Sequence, residues 1–220
     1  MGLKAVEYLI EHGADVNGCN SNGETLLKYC CRKELTETNK KIIKTLVDHG
    51  ADINKSDQYG NTLLDFILKN NYRLQTNDQI FEYLIELGAD VNKNNKDGYP
   101  PLIMACRKDD EYIIKILVEH GVDVNQKDKD KNTALHISCQ NANKKMIKYF
   151  IEHGADVNVL NKNGSTPISI AYKNKDDDIV EYLIEHGADI NLKKNHIISY
   201  KIVLPLVILI ISILIFYLID

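Results

Sequence analysis

The 220 residues carry 27 Lys and Arg against 31 Asp and Glu, a formal charge of -4 that excludes the strongly basic balance of a nucleic-acid binder. The absence of Trp, with four Pro and 7% aromatics, argues against a deep mixed core or a proline-rich ligand. Five Cys without paired spacing make no disulfide framework, and a mean hydropathy of -0.27 reads as soluble while hiding one strongly apolar stretch near the C-terminal end.

In chain order, Lys4 to His12 reads as a short helix without a preceding partner: a half unit that caps an array, or the end of a longer one. It closes on His-Gly-Ala-Asp-Val-Asn. That segment or a near variant recurs with its glycine at Gly13, Gly50, Gly88, Gly121, Gly154 and Gly187, at spacings of 37, 38, 33, 33 and 33. Upstream of each glycine lie apolar doublets four apart, such as Ile113, Ile114, Leu117 and Val118, which form one face of a helix. The glycine suits the left-handed residue after a helix end, and the preceding His places a polar ring at the negative end. Three or four residues beyond each Asn comes a second signal, as in Asp57-Gln58-Tyr59-Gly60-Asn61-Thr62, which reads as a tight turn and a helix start. Pro167 suits a first helical position, where its missing donor would be unpaired anyway. Each unit is therefore turn, short helix, turn and second helix, and helices of about ten residues need their neighbours to be stable. The two long spacings place polar surface loops at Lys33 to Asn39 and Asn71 to Asp78, between the helices of a unit.

Asn132-Thr133-Ala134-Leu135-His136 and Gly164-Ser165-Thr166-Pro167-Ile168, each paired with a later His-Gly-Ala-Asp or His-Gly-Val-Asp, resemble the ankyrin repeat, whose unit is about 33 residues. The resemblance runs from about residue 4 to 191. It implies an N-terminal half repeat at 4–17 and five repeats at 20–54, 57–92, 95–125, 128–158 and 161–191. The implied fold is an all-α ankyrin-repeat solenoid of stacked helix-turn-helix units with hairpin-like turns. Departures are local: Leu26 and Leu63 replace the usual proline, Pro100 the threonine, Lys131 the turn glycine and Leu87 the histidine before Gly88.

Periodicity removes most chemical readings. His12, His49, His120, His153 and His186 occupy one position per unit, and the resemblance implies a structural hydrogen-bonding role for His136. Cys30 falls at a small inward position, and Cys31, Cys106 and Cys139 share the next; Cys19, in a turn, is the exposed thiol. Asp109-Asp110-Glu111 and Asp176-Asp177-Asp178 precede second helices, where the helix dipole favours negative charge. Asp128 to Asn132 resembles the start of a calcium loop, but Thr133 and Cys139 stand where the glycine and bidentate glutamate are required. No phosphate loop, nucleophile elbow or zinc pair is present, so no catalytic residue, metal or cofactor is expected.

The resemblance implies a concave face built from turn tips and the exposed side of first helices. Its candidates are Ser21, Asn22, Glu24 and Arg32; Gln58, Tyr59, Asn61 and Lys69; Lys96, Asp97, Tyr99, Arg107 and Lys108; Lys129, Asp130, Asn132, Gln140 and Asn141; Lys162, Asn163, Ser165, Lys173 and Asn174. Tyr59 and Tyr99 are the expected anchors, since a rigid amphipathic ring loses little entropy on contact.

After a basic juxtamembrane segment at 192–201, residues 202–219 carry no charge and two hydroxyls, those of Ser212 and Tyr217. As a helix this stretch spans roughly 27 Å, suited to a thin membrane such as the endoplasmic reticulum. Lys193, Lys194 and Lys201 precede it and only Asp220 follows, which orients the repeats to the cytosol. The expected protein is a monomeric, non-enzymatic scaffold that binds an unidentified protein partner and membrane lipid, but no nucleic acid. The alternative is the cytosolic ankyrin portion of a larger membrane protein such as a channel or acyltransferase; the end at Asp220 speaks against it.

Overall fold

The computed structural model describes residues 2–21, 23–69 and 75–190, and groups the chain into two compact units, residues 1–129 and 130–220. The first contains α1 (Leu3–Glu11), α2 (Leu26–Cys30), α3 (Glu37–Asp48), α4 (Leu63–Lys69), α5 (Gln75–Glu86), α6 (Pro101–Lys108) and α7 (Glu111–Glu119). The second contains α8 (Ala134–Gln140), α9 (Lys144–Glu152), α10 (Pro167–Lys173) and α11 (Asp177–Glu185). Among the described residues every regular element is a helix, and the one extended pairing is an isolated bridge between Cys19 and Thr25.

In the first unit α2 packs on α3, α4 on α5 and α6 on α7, while α4 meets α6, α5 meets α7 and α1 meets α3. In the second, α8 packs on α9 and α10 on α11, with α8 against α10. First helices thus stack on first helices. The apolar doublets read from the sequence fill the space between layers: Ile113, Ile114 and Leu117 of α7 and Ile179, Val180 and Leu183 of α11 are all buried. Each such side chain contributes about 1.5–3 kcal/mol of apolar burial, which is how nine-residue helices persist.

Both helix ends are closed locally. Asp110, Asn143 and Asp176 accept the amides of Ile113, Met146 and Ile179 at 3.2, 3.0 and 3.2 Å, so the acidic runs do begin second helices. At the other end of α9, the amide of Gly154 reaches the carbonyl of Ile151 at 3.1 Å and that of Ala155 reaches Phe150 at 2.9 Å. This is the doubly bonded stop that needs a left-handed residue, and Gly154 has φ 84°. The five histidines before these glycines each place Nδ1 within 2.7–2.8 Å of the carbonyl four residues back. Their periodicity is a capping device.

Two sequence expectations are corrected. Lys33 to Asn39 is not wholly a surface loop: Thr36 caps α3 through the amide of Asn39, and α3 takes up Glu37 to Asn39 as an added turn. Buried Asn39 explains why, since its Nδ2 donates to the carbonyls of Cys30 and Glu34 at 3.0 and 3.1 Å and closes the end of α2. Likewise α5 begins at Gln75, inside the second supposed loop. Both helices run to 12 residues, against nine in α7, α9 and α11. Among the described residues no helix is long and apolar enough to cross a membrane; the helix expected at 202–219 and the basic segment at 192–201 lie outside them.

Candidate functional site

The turn tips are positioned by two ladders of hydrogen bonds. The Asn of Gly-Ala-Asp-Val-Asn is a clasp between units of the repeat: in the first compact unit Asn17 Nδ2 donates to the Gly50 carbonyl at 2.9 Å, and its Oδ1 accepts the Asp52 amide at 2.8 Å. Asn54 does the same with Gly88 and Asp90 at 3.0 and 2.7 Å, and Asn158, in the second, with Gly187 and Asp189 at 3.0 and 2.7 Å. The sequence alone assigned this residue no role beyond closing the recurring segment; its exact recurrence every unit was the available signal. At the tips, the Lys96 amide donates to the Gly60 carbonyl at 3.0 Å and the Lys162 amide to the Asp130 carbonyl at 2.8 Å. Adjacent tips are thereby pinned to each other.

His136 carries the resemblance's structural role in full. It is wholly buried; its Nε2 donates to the Ser165 carbonyl at 3.1 Å, and its Nδ1 accepts the Thr133 amide at 3.2 Å. A carbonyl can only accept, so the ring is neutral with the proton on Nε2. In the first unit Asp65 takes this position, with Oδ2 accepting both the amide and hydroxyl of Thr62 at 2.8 Å. Burial pushes the Asp65 carboxyl up despite those bonds, and its Oδ1 has no partner. Asp57 moves the opposite way. Burial would raise it, but the Lys28 ammonium at 2.8 Å and the amides of Asn61 and Tyr59 outweigh that and bring it down to about 2.

The proposed contact residues divide by location. In the first unit Gln58, Tyr59, Lys96, Asp97, Arg107 and Lys129 are exposed and Asn61 and Tyr99 half-buried. Tyr99 gathers two cations: the Arg107 guanidinium lies 4.4 Å and Lys129 Nζ 5.0 Å from its ring centre. Arg107 is further fixed by Asp128 at 3.2 Å, whose side chain is fully buried. Lys96 Nζ lies 5.6 Å from the Tyr59 ring, and Lys69 bonds Asn61 while standing 3.9 Å from Asp97. Lys108 donates to the Leu68 carbonyl. Phe66, absent from the sequence candidates, sits under Lys28 and Arg32 at 4.7 and 5.3 Å. Its side chain faces outward on a helix whose other apolar residues do not, which no local pattern marks.

In the second unit Lys162, Asn163, Gln140, Asn141 and Lys173 are exposed and Asp130 and Ser165 half-buried, with Lys162 3.7 Å from Asp130. Asn132 is corrected: only 7% exposed, it accepts from Asn161 Nδ2 at 2.9 Å inside the stack. Asn174 likewise donates to the Cys139 carbonyl at 3.0 Å, a structural bond. Asn22 lies outside the described residues. Cys30, Cys31, Cys106 and Cys139 are buried and Cys19 exposed; burial pushes the Cys139 thiol up to about 12, far from a reactive thiolate. Among the described residues no group of three His, Cys, Asp or Glu side chains could hold a metal ion.

Paired short helices, stacked layer on layer and closed by the same caps and clasps in each unit, define an α-helical repeat protein. The family described as ankyrin repeats (3 copies) matches residues 2–57, 39–128, 72–160 and 102–194, and the chain belongs to it. No curated protein matches the chain. Ankyrin repeats are protein–protein interaction modules and typically not enzymes.

Proposed function

We propose that this chain is a non-enzymatic scaffold that binds a protein partner on its turn tips and first helices, and that residues 202–219 hold it at a membrane with the repeats facing the cytosol. The observation that carries this reading is the contrast in side-chain use. Polar groups at repeated positions, such as Asn17, Asn54, Asn158 and His136, are engaged within the stack, while Tyr59, Lys96 and Asn163 stand exposed on tips that differ from one unit to the next. A rigid frame displaying variable residues recognises a surface with little ordering cost. Anchoring raises the partner's local concentration at that membrane without further contacts.

The partner face is tested by replacing Tyr59 and Tyr99 with Ala in the full chain and recovering it from cells. The expected result is loss of co-purifying protein with unchanged helical circular dichroism; retention of the same proteins sinks the reading. Carbonate extraction tests the anchor, and release into the soluble fraction overturns it. Orientation is read from Asn163-Gly164-Ser165, a glycosylation sequon whose Asn is exposed: with microsomes no glycosidase-sensitive shift is expected.

A further inference from the structure

We infer that the partner segment recognised by the first unit is an extended acidic peptide, seated on the row formed by Tyr59, Lys96, Tyr99, Arg107 and Lys129. This rests on the scaffold reading above and names the chemistry of its ligand.

The whole chain is net negative, yet this face is not. Six cations line it: Lys28, Arg32, Lys69, Lys96, Arg107 and Lys129. Four carboxylates accompany them, and three are turned inward: the side chains of Glu24 and Asp57 are 10% exposed and that of Asp128 is 0% exposed. Only Asp97, 47% exposed, faces outward with the cations. The inward carboxylates hold their cations in place and offer a ligand few exposed acceptor atoms, and the cations still outnumber them.

The aromatic rings strengthen this arrangement. Phe66, Tyr59 and Tyr99 each lie beside a cation, and Phe66 and Tyr99 beside two. A cation held over a ring and against a buried carboxylate has already lost most of the side-chain freedom that binding would otherwise remove. Arg107 is the clearest case. Of its five N–H donors, those not turned to Asp128 find no acceptor among the described residues, and the fixed fork suits a carboxylate. Lys96 has no ion pair among them either, so its ammonium adds uncompensated charge beside Tyr59. A nucleic acid shares the negative charge, but the net charge of -4, with Glu86, Glu119 and Asp123 exposed elsewhere on this unit, disfavours a long polyanion more than a short peptide.

The test uses the full chain in a non-ionic detergent and four labelled probes: a 12-residue peptide of alternating Glu and Gly, a Lys–Gly peptide and a Ser–Gly peptide of equal length, and a 12-nucleotide single strand. Fluorescence anisotropy is expected to show the Glu peptide binding at least about tenfold tighter than the other three and weakening about tenfold between 50 and 300 mM salt. The double variant Lys96→Glu with Lys129→Glu is expected to weaken it a further tenfold or more, while Lys41→Glu with Lys44→Glu, on α3, changes it less than about twofold. If the first double variant does not fold, Lys96→Gln with Lys129→Gln serves the same comparison. Tyr99→Leu, which alters no charge, is expected to weaken binding about threefold by releasing Arg107 and Lys129. Equal binding of Glu and Ser peptides, equal losses in the two double variants, or tighter binding of the oligonucleotide each overturn the inference. If these fail while Tyr59 and Tyr99 still govern co-purification, the scaffold reading stands and only the acidic ligand falls.

Discussion

The two compact units apply the same repeat with different strictness. In the second, Thr133 with His136 and Thr166 with Ser169 close reciprocal capping boxes at the starts of α8 and α10, and the spacing is 33 residues throughout. In the first, α6 follows Pro100, which offers no side-chain cap, buried Asp65 closes the box with Thr62 in the place of His136, and α3 and α5 carry an added turn. The first also carries the cation–aromatic row. What the difference teaches is that backbone closure and apolar layers tolerate local departures, so the unit whose frame varies most can also carry the most varied display face.

Six substitutions break or sharpen that contrast. His136→Ala has the largest expected effect, about 2–3 kcal/mol in urea unfolding, because it leaves the buried Thr133 amide without its acceptor and opens a cavity. A loss below about 1 kcal/mol would mean that the strict unit does not depend on its capping box. Next comes Gly60→Ala at about 2 kcal/mol: φ is 71°, and a Cβ would lie 2.7 Å from that of Lys96. Gly154→Ala, with φ 84° and nothing within 4 Å, should cost only about 1 kcal/mol, so equal losses would contradict close packing of adjacent tips.

Asp57 and Asp65 make the first unit respond to pH in opposite directions. Asp57 titrates lower in the folded chain than unfolded, so its contribution is present above about pH 4 and lost as pH falls towards 2. Thermal melts of Asp57→Asn should lack about 1 kcal/mol of that acid-side loss. Asp65 titrates higher when folded, so it favours folding below the unfolded value and penalises it as pH rises through the folded one. Asp65→Asn should therefore raise stability at pH 7 by about 1 kcal/mol and leave it unchanged near pH 3; the same gain at both values would rule out the charge as the cause. The smallest effect is expected from Ala142→Gly, a gain of about 0.5–1 kcal/mol at φ 53°, read as a shift in the urea midpoint.

Much of the frame was legible because the interactions that build it are local and recur. A glycine after each helix, a His whose ring returns to the carbonyl four residues back, and apolar doublets in step with the helix all act within a few residues of one another. The inward Cys positions and the acidic caps followed from the same register. The Asn clasp recurs as faithfully, but its partners lie in the next repeat, as 34 residues separate Asn54 from Gly88. No spacing within one unit reveals such a bond.

The sequence by itself determined the helix starts and stops, the repeat length and the layers that become core, because short-range hydrogen bonding and amphipathic periodicity set them. Only the tertiary structure decided which polar side chains are available. Asn132 and Asn163 read alike in sequence as turn residues, yet the first is bonded inside the stack and the second exposed. Arg107 becomes an anion-ready fork only because Asp128, 21 residues away, and Tyr99 meet it in space. Charge and burial at such positions depend on what the neighbouring repeat brings to them, and that is a property of the stack.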